Sequence, residues 1–128
     1  MKKIFYTILF LIIANLTVAQ DQVKRTNTTE NLIGQWTIDL RPTSKAEAYY
    51  QTFVVESIDD NRFTGTFYGS PVKNALINKY WDKLYFAFST SDQSNEYFHS
   101  GYIFDGKVYG ISYCPNREFT APWTGIKK

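Results

Sequence analysis

The chain has 128 residues, with 14 basic against 12 acidic side chains, one His and one Cys. That length suits one domain; the lone Cys excludes an internal disulfide, and with the lone His it excludes a zinc-finger ligand set. Aromatic residues make up 18%, with ten Tyr and ten Phe, which favours β-structure over a helical bundle.

The first nineteen residues read as a secretory signal peptide. Met1-Lys2-Lys3 is a short positive start, Ile4 to Leu16 is mostly apolar, and Thr17-Val18-Ala19 ends on a small residue. A transmembrane anchor would need a run of about 20 apolar residues, longer than this one. Cleavage after Ala19 would remove Lys2 and Lys3 from the 14 basic residues, leaving twelve against twelve. The expected product is therefore neutral and exported, to a periplasm or the medium, with no stable membrane insertion after cleavage. It lacks the basic footprint of a nucleic-acid binder.

Residues 20–31 are polar and read as a flexible leader, so the folded domain is expected over 32–128. Eight short runs rich in aromatic and β-branched residues follow, at 32–40, 49–57, 62–68, 72–80, 84–89, 96–104, 107–114 and 119–127. Asp59-Asp60-Asn61 and Asp105-Gly106 are tight-hairpin signals. Gly69-Ser70-Pro71, residues 91–95 and Pro115-Asn116-Arg117 read as longer turns, and only 43–48 could hold a helical turn. Leu84, Phe86 and Phe88 alternate with Tyr85, Ala87 and Ser89; Trp36, Ile38 and Leu40 alternate with Gln35, Thr37 and Asp39. Such strands with short sequential turns predict an eight-stranded antiparallel up-and-down β-barrel, with a β-sandwich as the alternative. An eight-stranded interior either fills with side chains or holds one small ligand.

Three segments carry a family resemblance. Gly34-Gln35-Trp36-Thr37-Ile38-Asp39-Leu40, Phe63-Thr64-Gly65-Thr66-Phe67 and Trp123-Thr124-Gly125-Ile126-Lys127 together resemble the avidin family within the lipocalin-like (calycin) barrels. The resemblance implies that Trp36 plugs one barrel end and that a last-strand cation, here Lys127 in place of Arg, lies over its ring. Such a contact is worth ~0.5–2 kcal/mol. The biotin site does not carry over. Ile38 stands where the family has a urea-binding Asn, Phe67 where it has a Tyr donor and Gly69 where it has Ser or Thr. Trp81 falls at a turn beside Tyr80. A buried urea costs ~1–3 kcal/mol for each missing bond, so tight biotin binding is not expected.

The inward parity implied by the resemblance points Trp36, Ile38, Phe67, Leu84, Phe86, Phe88, Tyr97, His99, Ser112, Cys114 and Trp123 into the barrel. Of these, Trp36, Ile38, Phe67, Phe86, Phe88, Tyr97, His99, Ser112 and Trp123 are the candidate ligand-binding residues. The set suits a small apolar or aromatic ligand, and it equally suits a filled core acting through protein contacts at the outer face or mouth. No catalytic constellation surrounds His99, which reads as a structural strand histidine. Cys114 reads as a small buried hydrophobe. Asp59-Asp60 belongs to a turn, residues 91–95 are oxygen-rich without spelling a calcium loop, and no phosphate- or dinucleotide-binding motif occurs. No enzyme, cofactor or metal is expected. Tyr102, Tyr109 and Tyr113 leave one outer face aromatic enough to suggest a homo-oligomer.

Overall fold

The computed structural model describes residues 28–128; the expected signal peptide and most of the leader lie outside the described residues. Nine strands form one sheet: β1 Gly34–Asp39, β2 Tyr50–Asp59, β3 Arg62–Phe67, β4 Ser70–Pro71, β5 Lys73–Asn78, β6 Leu84–Ser91, β7 Glu96–Phe104, β8 Lys107–Cys114 and β9 Phe119–Lys127. Pairing is antiparallel throughout, and the sheet runs β2-β1-β9-β8-β7-β6-β5-β3-β4 before β2 meets β3. That last pairing closes an eight-stranded up-and-down barrel, with β4 as a short extra strand. Closure gives each main strand a partner on both sides, although the β3–β5 seam is held at a single paired position, Arg62 with Leu76.

The turn chemistry explains most of the boundaries. At the β7–β8 hairpin Asp105 and Gly106 both take positive φ (51° and 72°), the backbone that a two-residue type I′ turn demands. The same geometry falls on Tyr68 and Gly69 (53° and 77°), so the turn after β3 lies one residue earlier than expected. Ser70–Pro71 consequently pair back onto Thr66 and Phe67. The run expected over 72–80 shortens to β5, which is itself irregular: Asn74 adopts φ 53° and the register with β6 shifts between Lys73 and Leu76. The stretch 43–48 holds a single turn, closed by Ala46 N–H on the Thr43 carbonyl.

Inward and outward faces alternate along the strands, and the inward set forms one aromatic cluster. Phe53 sits at its centre, with ring centroids 5.2 Å from Phe88, 5.6 Å from Phe67, 5.8 Å from Phe86 and 6.1 Å from Trp123. Room for these rings comes from inward glycines on adjacent strands. A Cβ on Gly110 would lie 2.2 Å from Trp123, and one on Gly101 would lie 2.8 Å from Phe86; the two glycines pair across β7 and β8. No helix among the described residues is long and apolar enough to cross a membrane.

Candidate functional site

The two barrel ends differ. One end is sealed by Trp36, which is 1% exposed. Its indole Nε1–H donates to the Leu32 carbonyl at 2.9 Å, and Lys127 Nζ lies 5.1 Å from its ring centroid. Lys127 also donates to the Asn31 carbonyl at 2.9 Å, at the end of a 3-10 turn over Thr29–Asn31. Residues 29–31, assigned to the polar leader by composition, thus form the outer cover of the plug. Their polarity reflects an exposed turn whose carbonyl receives the lysine.

The other end opens into a pocket of about 400 Å³. Phe67 and Trp123 form its apolar wall, 5.3 Å apart between ring centroids. Tyr49 and Tyr68 stand at the rim with their rings edge to face at 6.1 Å and their hydroxyls hydrogen-bonded to each other. The loop carrying Tyr49 is anchored by Asp39. Its Oδ1 accepts from the backbone N–H groups of Tyr49 (3.0 Å) and Arg41 (3.1 Å), and its Oδ2 accepts from Arg41 Nε at 2.8 Å. The Arg41 guanidinium holds the Asp39 carboxyl down at about 2.

A chain of polar groups descends one pocket wall. Trp123 Nε1–H donates to Ser112 Oγ at 2.9 Å, Ser112 Oγ meets His99 Nδ1 at 2.7 Å, and His99 Nε2 meets Thr90 Oγ1 at 2.9 Å. His99, Ser112 and Thr90 are each 5% exposed. The imidazole lies against Phe67 (4.3 Å) and Phe88 (4.7 Å, 27° between planes). Burial among these rings pushes the His99 pKa down to about 4, so the ring is neutral at physiological pH.

The rim on the opposite side is charged and internally balanced. Arg117 Nη1–H donates to the Tyr97 hydroxyl at 3.0 Å, and that hydroxyl donates to Asp92 Oδ2 at 3.2 Å. Asp92 Oδ1 accepts the backbone N–H groups of Ser94 (2.8 Å) and Asn95 (2.7 Å), which lower its pKa. The oxygen-rich stretch 91–95 is therefore a self-capped turn. Among the described residues no group of three or more His, Cys, Asp or Glu is placed to hold a metal ion.

The residues named from the sequence divide between the two ends. Phe67, Tyr97, His99, Ser112 and Trp123 line the mouth pocket. Trp36, Ile38, Phe86 and Phe88 instead belong to the packed core, with Phe88 backing the imidazole. Cys114 is fully buried. Three contributors were not legible. Thr90 lies one residue beyond the expected end of its strand, because β6 runs on to Ser91. Phe53 is masked by the continuous apolar run Phe53-Val54-Val55, which hides the two-residue period. Ala121 points into the pocket, yet small size is no sequence signal.

The fold and site define an eight-stranded antiparallel barrel with one plugged end and one pocketed end. Comparison with protein-family models, with curated proteins and with solved structures finds no match.

Proposed function

We propose that this protein is an exported, non-enzymatic barrel that binds one small apolar or aromatic ligand at its mouth, on an avidin- or lipocalin-like plan but without tight biotin binding. The observation that carries the reading is the pocket of about 400 Å³, a size and makeup suited to a small molecule. Seven of its fifteen lining residues carry rings, joined by four Ser and Thr hydroxyls, with one carboxylate and one guanidinium at the rim. The lysine over the plugging tryptophan supports the avidin-like plan, and residues 1–19 support export. Ser112 and His99 lie close enough for a nucleophile–base pair, but the second ring nitrogen meets a threonine hydroxyl rather than an orienting carboxylate. A base with a pKa of about 4 is also far too weak to activate a hydroxyl near neutral pH.

The test is a fluorescence titration with Nile red, run in parallel on Ala121→Phe, which fills the pocket from β9. One dye per barrel, displaced by small aromatic competitors and lost in the variant, is the expected result. Dye binding unchanged in Ala121→Phe would place it on the outer surface and overturn the reading. A second reading concerns that outer surface. Phe98, Ile111 and Tyr113 are 45%, 47% and 52% exposed, and beside them Tyr85, Tyr102 and Tyr109 stand in a row, the first pair tilted with ring centroids 5.9 Å apart and the second stacked at 5.3 Å. So much exposed ring surface on adjoining strands fits an interface between copies, and a strict monomer by sedimentation at high concentration would remove it.

A further inference from the structure

Among the described residues, the polar chain on the pocket wall has more hydrogens than internal acceptors. Trp123, Ser112, neutral His99 and Thr90 each bring one N–H or O–H hydrogen, while the chain has only the links Trp123–Ser112, Ser112–His99 and His99–Thr90. One hydrogen is therefore left over whichever imidazole tautomer is present. If Ser112 donates to Nδ1, then Nε2–H donates to Thr90 and the Thr90 hydroxyl hydrogen is unused. If Nδ1–H donates to Ser112, then Thr90 donates to Nε2 and the Ser112 hydrogen is unused. Both hydroxyls line the pocket.

We propose that the pocket selects an uncharged ring compound bearing a carbonyl-type oxygen, seated with that oxygen against Thr90 and Ser112 and its ring against Phe67 and Trp123. The inference rests on the mouth pocket being a ligand site and adds the chemistry of what enters it. A cationic group would be desolvated beside a surplus donor, and the carboxylate of the lining, Asp92, stands at the rim engaged by Tyr97 and by the backbone N–H groups of Ser94 and Asn95. A carboxylate would be stripped of water beside an imidazole that burial keeps neutral, and the nearest cation, Arg117, stands at the rim engaged with Tyr97. A neutral carbonyl takes the spare hydrogen with the smallest desolvation cost.

The experiment is a calorimetric titration of the wild-type protein with 1-tetralone, tetralin and 1-aminotetralin, three bicyclic compounds of nearly one shape. It is paired with infrared spectroscopy of bound 1-tetralone labelled with 13C at its carbonyl. The ketone should bind about tenfold or more tighter than tetralin, the advantage of one buried hydrogen bond. Its carbonyl stretch should lie below the value in hexane. Thr90→Val or Ser112→Ala, whichever removes the donor in use, should return the stretch towards the hexane value and cut the ketone's advantage. Equal affinities for ketone and tetralin with a hexane-like stretch, or tightest binding of the amine, would overturn the inference and leave the pocket reading standing. No binding of any of the three at millimolar concentration would overturn both.

Discussion

The plugged end and the pocketed end are built from the same strands, yet they treat their tryptophans in opposite ways. Trp36 has its indole N–H closed onto a backbone carbonyl and its face covered by a lysine, so its surroundings are complete without any other molecule. Trp123 donates to a serine at the start of a polar chain that leaves one hydrogen to spare. A satisfied aromatic adds stability, whereas an aromatic beside an unfinished hydrogen-bond chain forms a recognition surface. On the proposed function, stability and binding fall to opposite ends of one small barrel.

Substitutions at each end sharpen that division. The largest effect is expected for Trp36→Ala, which should cost ~3–5 kcal/mol as a large buried side chain is lost. Chemical denaturation should show the drop, and ligand binding by the remaining folded fraction should persist. Next comes acid. The His99 pKa of about 4 is depressed from 6.5, so the native state binds fewer protons than the unfolded chain between those values. Its contribution is intact above pH 6.5 and lost as pH falls to 4, at most about 3 kcal/mol, and His99→Gln should flatten urea midpoints across that window. Asp39, lowered from 3.8 to about 2, releases its contribution only at lower pH, so the two losses should separate.

Gly110→Ala would push a methyl group to 2.2 Å from Trp123. It should destabilise by ~1–3 kcal/mol through overpacking and, unlike Trp36→Ala, weaken ligand binding by tilting the pocket wall. Lys127→Met should cost ~0.5–2 kcal/mol by removing the cation from the plugging ring, with binding unchanged. The smallest effect is expected at Cys114. Being fully buried, it should resist a thiol reagent until the protein is unfolded, and rapid native labelling would contradict the packing.

The barrel was legible because its signals are local. Alternation in Leu84-Tyr85-Phe86-Ala87-Phe88 and the Asp105-Gly106 turn are each decided within a few residues, and the last three strands fall on their expected boundaries. Tyr68 at positive φ was not legible, since a bulky residue there is held by the hairpin and no propensity announces it. The split between plug and pocket depends on how far each inward residue lies along the barrel axis. Parity alone cannot separate Phe86 from Phe67, as both point inward. Whether an eight-stranded interior is filled or hollow was likewise undecided by composition; the barrel is packed through most of its length and open at one mouth.

The three tryptophans offer the most direct test. In a two-dimensional 1H–15N spectrum, the indole N–H signals of Trp36, Trp81 and Trp123 can be assigned by single Phe substitutions and followed as 1-tetralone is added. Ligand binding at the mouth should move Trp123 in a saturable way and leave Trp36, sealed beneath Lys127, and the exposed Trp81 in place. Saturable movement of Trp36 or Trp81 with Trp123 unchanged would contradict the assignment of binding to the mouth.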